Sequence, residues 1–308
     1  MWYWILAWLL TVLTVIGNGL VICLIISNRS LHTTPNWSVL SLALADLGVG
    51  LTYFPLLFAL NVDNLDGPPA TNRTFFLVSR TFLYLSATNL FVMILDRYVA
   101  IVHPLKYLNV VRTRIIVMSL ALAWFAPIFI FSLPFALNFK DNRKFLLVFR
   151  VILFQLLPIV IFVLVTYRIF LIMRRISKRT SRIFAQLAFN HAPKSSTGEI
   201  YSGVESKAAS KMTVAIIFFF VVCYVIENYK CFCLVFEMCL VSPSLQQVID
   251  MLFVINSAAN PIAYAFLKRD IKTTFLRPFA RQKRQISSAK GTDASCSEHR
   301  KDISLSVL

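Results

Sequence analysis

"ILDRYVAIVHPLKY", residues 94–107, sets an acid and a base, Asp96 and Arg97, side by side directly after a run of some twenty mostly apolar residues. That preceding run, 74–95, is long enough to cross a hydrocarbon core of about 30 Å as a helix rising about 1.5 Å per residue. Windows of the same kind lie at 2–26, 37–60, 115–137, 147–173, 212–236 and 246–267. Seven crossings are therefore expected, and the Asp-Arg pair marks the end of the third. With 58% hydrophobic residues, 15% charged and a mean hydropathy of +0.71, the 308-residue chain departs from soluble domains in the same direction. The predicted fold is an all-α membrane protein, a seven-transmembrane helix bundle.

An odd number of crossings puts the termini on opposite sides, and the Lys/Arg distribution assigns the sides. The segments 27–36, 97–114 and 168–211 and the tail from 268 hold 24 of the 31 Lys and Arg. This predicts an outside N-terminus and a cytoplasmic C-terminus. The formal charge of +17 does not point to nucleic acid, because the excess flanks membrane-spanning segments, where anionic lipid headgroups are the natural partner. No cleavable signal peptide is expected: the first apolar run starts at residue 2 and is too long for a signal core, so it reads as an uncleaved anchor.

A seven-helix transmembrane domain is predicted over 1–279 and a disordered cytoplasmic tail over 280–308, where apolar residues are scarce. Residues 174–210, basic and without apolar periodicity, read as a flexible loop. "KRDIKTTFLRPF" (268–279) differs, since Ile271, Phe275 and Leu276 share one face among basic residues, as in a short eighth helix lying on the inner membrane surface. Paired broken helices of a transporter, a pore filter and a metal-ligand spacing such as HExxH are not found, and the chain reads as a non-enzyme.

Polar groups at lipid depth are costly and ask for a reason. Asn18, Asp46, Ser86 and Asn260 each lie 8 to 11 residues from the nearest interfacial marker, Arg29, Asn36, Arg97 and Lys268. All four are thus roughly 12 to 17 Å from the cytoplasmic edge, in one layer. They can serve as hydrogen-bond ties between helices. A carboxylate among neutral oxygens suggests two further readings: Asp46 carries a proton, or a small cation sits beside it with Asn256 and Ser257 completing an oxygen cage.

The motifs together resemble a rhodopsin-like (class A) G-protein-coupled receptor. They are "GNGLV" (17–21), "LALAD" (42–46), "DRYVAIVHPL" (96–105), Trp124, Pro158, "FVVC" (220–223) and "NSAANPIAY" (256–264), one per crossing and in order. The likeness runs from about residue 14 to 276, and "LHTTPNWSVLSLALAD" (31–46) is similar to amine-like and adenosine-like receptors. The resemblance implies coupling of an extracellular small molecule or peptide to a heterotrimeric G protein at the plasma membrane. It assigns the switch to Asp96, Arg97, Tyr98, Asn260, Pro261 and Tyr264, with Arg97 held by Asp96 at rest and Tyr264 turning inward on activation. It assigns a sodium pocket to Asp46, Ser86, Asn256 and Asn260, which favours the cation reading. No other cofactor is implied. A receptor-derived but non-signalling scaffold is the alternative. A seven-helix retinal protein is excluded, because 246–267 contains no Lys.

Departures from the family pattern are as informative. Asn72 stands where the family has a bridging Cys, and no Cys occurs between Cys23 and Cys223, so that disulfide cannot form. Cys233 and Cys239 are spaced for a local bridge, with unpaired thiols as the other reading. "NRT" (72–74) is a possible glycosylation site at Asn72. Where the sixth helix usually reads CWxP, this chain has "CYVI" (223–226). Without the Pro the helix should run uninterrupted, with Tyr224 in place of the usual Trp. Tyr167 stands one residue beyond the family's Tyr position, which Thr166 occupies.

By the same arithmetic Arg80, Glu227 and Asp250 share an outer layer roughly 24 to 27 Å above the cytoplasmic edge. The resemblance sets Ser79, Arg80, Leu83, Tyr224, Glu227, Asn228 and Asp250 around a ligand cavity, with Ser79 where amine receptors carry an Asp. Two acids against one Arg leave one negative charge uncompensated, which predicts a cationic or zwitterionic ligand, Arg80 paired to Glu227 and Asp250 free. The other reading has Arg80 reaching outer headgroups and both acids meeting water.

Overall fold

The computed structural model describes the backbone of residues 2–62, 69–102, 113–136, 143–190, 197–240, 242–267 and 270–275. The predicted tail 280–308, the Pro104 end of the "DRYVAIVHPL" stretch and Leu276 lie outside them, and the side chain of Asn72 is outside the description too.

Among the described residues the fold is helical. The elements are α1 (Trp2–Ser27), α2 (Thr34–Val62), α3 (Pro69–Val102), α4 (Thr113–Ala136), α5, α6 (Thr197–Phe236), α7 (Pro243–Leu267) and a short α8 over 270–275. Helix α5 is built of Arg143–Val151, a π-helical turn Ile152–Leu156 and Leu157–Asn190. Six helical segments are long and apolar enough to span a membrane: 2–27, 34–59, 77–100, 114–133, 147–179 and 216–233. The seventh, α7, is less apolar because Gln246, Asp250, Asn256, Ser257 and Asn260 lie along it. It packs on α1, α2 and α6 and so closes the ring.

The bundle keeps its polar groups inside, within a largely apolar core, and turns an apolar surface outward, as lipid requires. Helix α1 buries Tyr3, Ala7, Thr11, Thr14, Asn18, Val21 and Ile25, a stripe at spacings of three and four. Trp2, Ile5, Leu9 and Ile16 face outward. The buried hydroxyls are satisfied locally, Thr11 Oγ1 donating to the Ala7 carbonyl at 2.9 Å and Thr14 Oγ1 to that of Leu10 at 2.7 Å.

Small residues set the closest helix approaches. At Gly17 an added Cβ would lie 3.1 Å from Pro261 Cγ, and at Gly48 it would fall inside the Phe82 ring. Between α2, α3 and α4 the tie is polar: Trp124 Nε1 donates to Ser41 Oγ at 2.9 Å, and Ser41 Oγ donates to Asn89 Oδ1 at 2.6 Å.

Helix α6 runs without interruption through Tyr224, as the missing proline predicts. The expected flexible loop over 174–210 is largely helical instead: α5 continues to Asn190 and α6 begins at Thr197. Arg, Lys, Glu and Ala are strong helix formers, and propensity continues a helix where the apolar period has stopped. Just before Pro158 the π turn of α5 accommodates a ring that has no N–H and would crowd the carbonyl four residues back. In the short α8 Ile271 is buried and Phe275 is 41% exposed, so one apolar residue faces the bundle and the other faces away.

Candidate functional site

Three polar layers stack through the bundle. At the Arg97 end of α3, Arg97 Nη2 donates to the Pro35 carbonyl at 3.3 Å, and Arg97 Nε lies 4.0 Å from Asp96 Oδ2. The Asp96 contact expected from the sequence is present but at the limit of an ion pair. The Pro35 contact had no sequence signal, because a backbone acceptor on another helix leaves none. Tyr98 packs partly buried against the core. Tyr264 is fully buried, its hydroxyl donating to Met93 Sδ at 3.5 Å, so it points into the bundle. Thr166 faces inward with a buried Oγ1 that has no hydrogen-bond partner, while Tyr167 is 59% exposed on the outer surface. The one-residue offset thus removes that tyrosine from the interior.

The middle layer is centred on Asp46. Ser86 Oγ donates to Oδ1 at 2.6 Å and Asn260 Nδ2 to Oδ2 at 2.8 Å, with Ser257 facing the same carboxylate. Asn18 Nδ2 donates to the carbonyls of Thr14 and Ser257, leaving its buried Oδ1 without a partner. Asp46, Ser86 and Asn260 are therefore brought together as expected. Of the two residues expected to complete the cage, Ser257 faces the carboxylate, while Asn256 is buried one residue earlier and makes none of these contacts. No cluster of three His, Cys, Asp or Glu suited to a metal occurs among the described residues. Any ion here would be held by one carboxylate and neutral oxygens.

The third layer, at the opposite end, is ionic. Arg80 Nη1 is 3.6 Å from Glu227 Oε1 and Arg80 Nη2 is 3.9 Å from Asp250 Oδ1. Its guanidinium also lies over the rings of Tyr53 and Phe253, at 5.7 and 5.8 Å. Asp250 is not free: Oδ1 accepts from Tyr53 Oη at 2.6 Å and from Gln246 Nε2 at 2.7 Å. Nor is the negative charge uncompensated, because Lys230 Nζ lies 2.7 Å from Glu227 Oε2, in an orientation that makes it an ion pair rather than a hydrogen bond. The first correction comes from Tyr53 and Gln246, and the second from Lys230. Lys230 is one helical turn beyond Glu227 on the same buried face, a spacing legible in the sequence once the face is known.

Beside this cluster Ser79 and Leu83 are buried, and Tyr224 stacks on Phe220 with centroids 4.1 Å apart while meeting Phe253 edge-on. Tyr224 fills the position of the expected aromatic switch. Asn228 has both side-chain atoms buried without a partner. Cys233 and Cys239 form a disulfide joining the end of α6 to the turn at Glu237, whose φ of 56° is the left-handed conformation common just past a helix end.

A family model for the 7 transmembrane receptor (rhodopsin family) matches residues 17–264. The chain is similar to the adenosine receptor A3 of Ovis aries, 28% identical over 85% of this chain and 84% of that receptor. It is similar also to the histamine H2 receptor of Homo sapiens, 27% identical over 88% of this chain and 77% of that one. A shorter match, 31% identical over 46% of the chain, covers 16% of the dopamine D2-like receptor of Drosophila melanogaster. The chain belongs to the rhodopsin family of seven-transmembrane receptors, and its function is that of a G-protein-coupled receptor.

Proposed function

We propose that this receptor sits in the plasma membrane with its N-terminus outside, binds an extracellular ligand at the Arg80 layer, and activates a heterotrimeric G protein through the Arg97 end. The observation that carries the reading is the weak restraint on Arg97. Among the described residues its polar contacts, at 3.3 and 4.0 Å, are to a backbone carbonyl and in a marginal ion pair. A partly exposed pair of this sort contributes under about 1 kcal/mol, so a ligand preference of a few kcal/mol for one bundle arrangement is enough to release it.

An allosteric sodium ion fits the middle layer. The Asp46 carboxylate with the Ser86 and Ser257 hydroxyls offers the oxygen donors that a small hard cation takes, and Asn18, bonded to the Ser257 carbonyl, keeps a partnerless Oδ1. Such an ion would supply positive charge next to Asp46 and favour the arrangement that holds these oxygens together.

Arg97→Ala tests the switch. Nucleotide exchange on a broad panel of G proteins should fall to the level of receptor-free membranes while surface expression stays near that of the parent. Unchanged signalling in the variant would refute the mechanism, and an absence of exchange in the parent across the panel would favour a non-signalling scaffold.

A further inference from the structure

Helix α5 carries a polar group that the switch and the ionic cluster do not use. Arg150 is half-buried with its guanidinium carbon 4.6 Å above the Phe131 ring, and its Nε is buried without a hydrogen-bond partner. Among the described residues no acid pairs with it. Five residues on, Gln155 is 1% exposed, donates Nε2 to Tyr84 Oη at 2.9 Å, and keeps a buried, partnerless Oε1.

The π turn explains why the two act together. In an α-helix residues five apart diverge by about 140°, whereas a turn closed by i to i+5 bonds returns them toward one face. Gln155 bonds Tyr84 directly and Arg150 lies over Phe131, whose ring meets that of Tyr84 at 4.7 Å, with Phe154 on Tyr84 at 5.5 Å. Asn228 stands at the same depth. The antiparallel helices α5 and α6 touch at Phe162 and Phe220, centroids 5.0 Å apart. Two turns outward, about 10 Å, lead to Gln155 on one and Glu227 and Asn228 on the other.

This region therefore holds an aromatic wall of Tyr84, Phe131 and Phe154, an unpaired guanidinium and three unmet amide atoms. Inside the bundle Arg80 and Lys230 lie beside the acids Glu227 and Asp250, while Glu237 stands exposed past the end of α6. Arg150 is thus a half-buried cation with no acid beside it among the described residues.

We propose that the ligand of this receptor is a monoanionic organic acid whose oxyanion is held by Arg150 and whose flat, apolar body lies along the Tyr84–Phe131–Phe154 wall, within reach of Asn228 and Gln155. This deepens the proposed function and rests on its ligand-binding end. One guanidinium without an acid matches the single charge of a carboxylate or sulfonate better than a dianionic phosphate, and its planar fork meets such oxyanions in two-point contact. The sign is opposite to that expected from the sequence, because Lys230 and Arg150 were absent from that count.

The test uses the purified full chain in nanodiscs with benzoate and benzenesulfonate as probes, benzamide and benzylamine as neutral and cationic counterparts, and melting temperature as readout. At least one of the two anions should raise the melting temperature saturably by several degrees, and neither counterpart should. Arg150→Gln should abolish the shift, Arg150→Lys should retain part of it, and Arg97→Ala should leave it intact. A shift that survives in Arg150→Gln, a response to benzylamine in place of the anions, or no response to either anion overturns the proposal. Nucleotide exchange by the parent that is lost in Arg97→Ala, found together with no response to either anion, separates a failure of this inference from a failure of the receptor mechanism.

Discussion

Glu227 lies between two cations, Lys230 Nζ at 2.7 Å and Arg80 Nη1 at 3.6 Å, and all three side chains are at most 15% exposed. Glu227→Gln keeps the shape and removes the charge. At an effective dielectric constant of about 20 the direct attractions are roughly 6 and 5 kcal/mol, most of which offsets the desolvation of the groups. The substitution does not return those groups to water. It leaves Lys230 buried without its acid and takes from Arg80 the nearer of its two described acids, Asp250 remaining at 3.9 Å, so the expected loss is about 3–5 kcal/mol. Lys230→Gln should also destabilise, since Glu227 then faces only the longer Arg80 contact. The double variant restores a one-to-one balance between Arg80 and Asp250, so it should lose less than the sum, by about 0.5–3 kcal/mol. Melting of the purified receptor and its three variants in one lipid composition closes the cycle. Additive losses, or a Glu227→Gln protein as stable as its parent, would refute the buried three-body pairing.

Replacing potassium by sodium at constant ionic strength should raise the melting temperature, and Asp46→Asn should remove the difference, since binding to the folded state alone stabilises it; equal melting in both salts would leave the Asp46 layer a set of hydrogen-bond ties. Gly48→Ala should cost about 1–3 kcal/mol because its Cβ meets the Phe82 ring, and Phe82→Leu in the same chain should recover part of the loss in a thermal assay. Cys233→Ser should lower stability by about 2 kcal/mol from loop-closure entropy over a separation of 6 residues, and reduction of the parent should match the variant.

What the sequence disclosed was set mainly by spacing along single helices. Depth arithmetic from interfacial residues placed Asp46, Ser86 and Asn260 in one layer, and the structure joins them by bonds of 2.6 and 2.8 Å. The arithmetic found depth but not azimuth, so it set both Asn256 and Ser257 beside Asp46, of which Ser257 faces the carboxylate. Lys230 escaped notice because a basic residue near a helix end reads as an interfacial anchor until its face is known to be buried. Arg150 and Gln155 were hidden more deeply: a local change of helical period rotates everything on one side of it, and apolar residues on both sides give no sign of the phase shift. The helical continuation over 174–190 was missed for the opposite reason, since periodicity was absent while propensity was present.

Helix α6 extends 40 residues, about 60 Å, with no proline to bend it. Its tightest aromatic seating, Phe220 and Tyr224 between Phe162 and Phe253, is not at its centre. From that fulcrum the arm toward Phe236 is about 21 Å and the arm toward Thr197 about 37 Å. A stiff rod pivoting there magnifies displacement nearly twofold, so an ångström of movement at the disulfide-tethered short arm sweeps the long arm by almost two. A hinged helix would dissipate part of that travel in its own bend. Here the gearing is fixed by where the aromatic rings grip the rod.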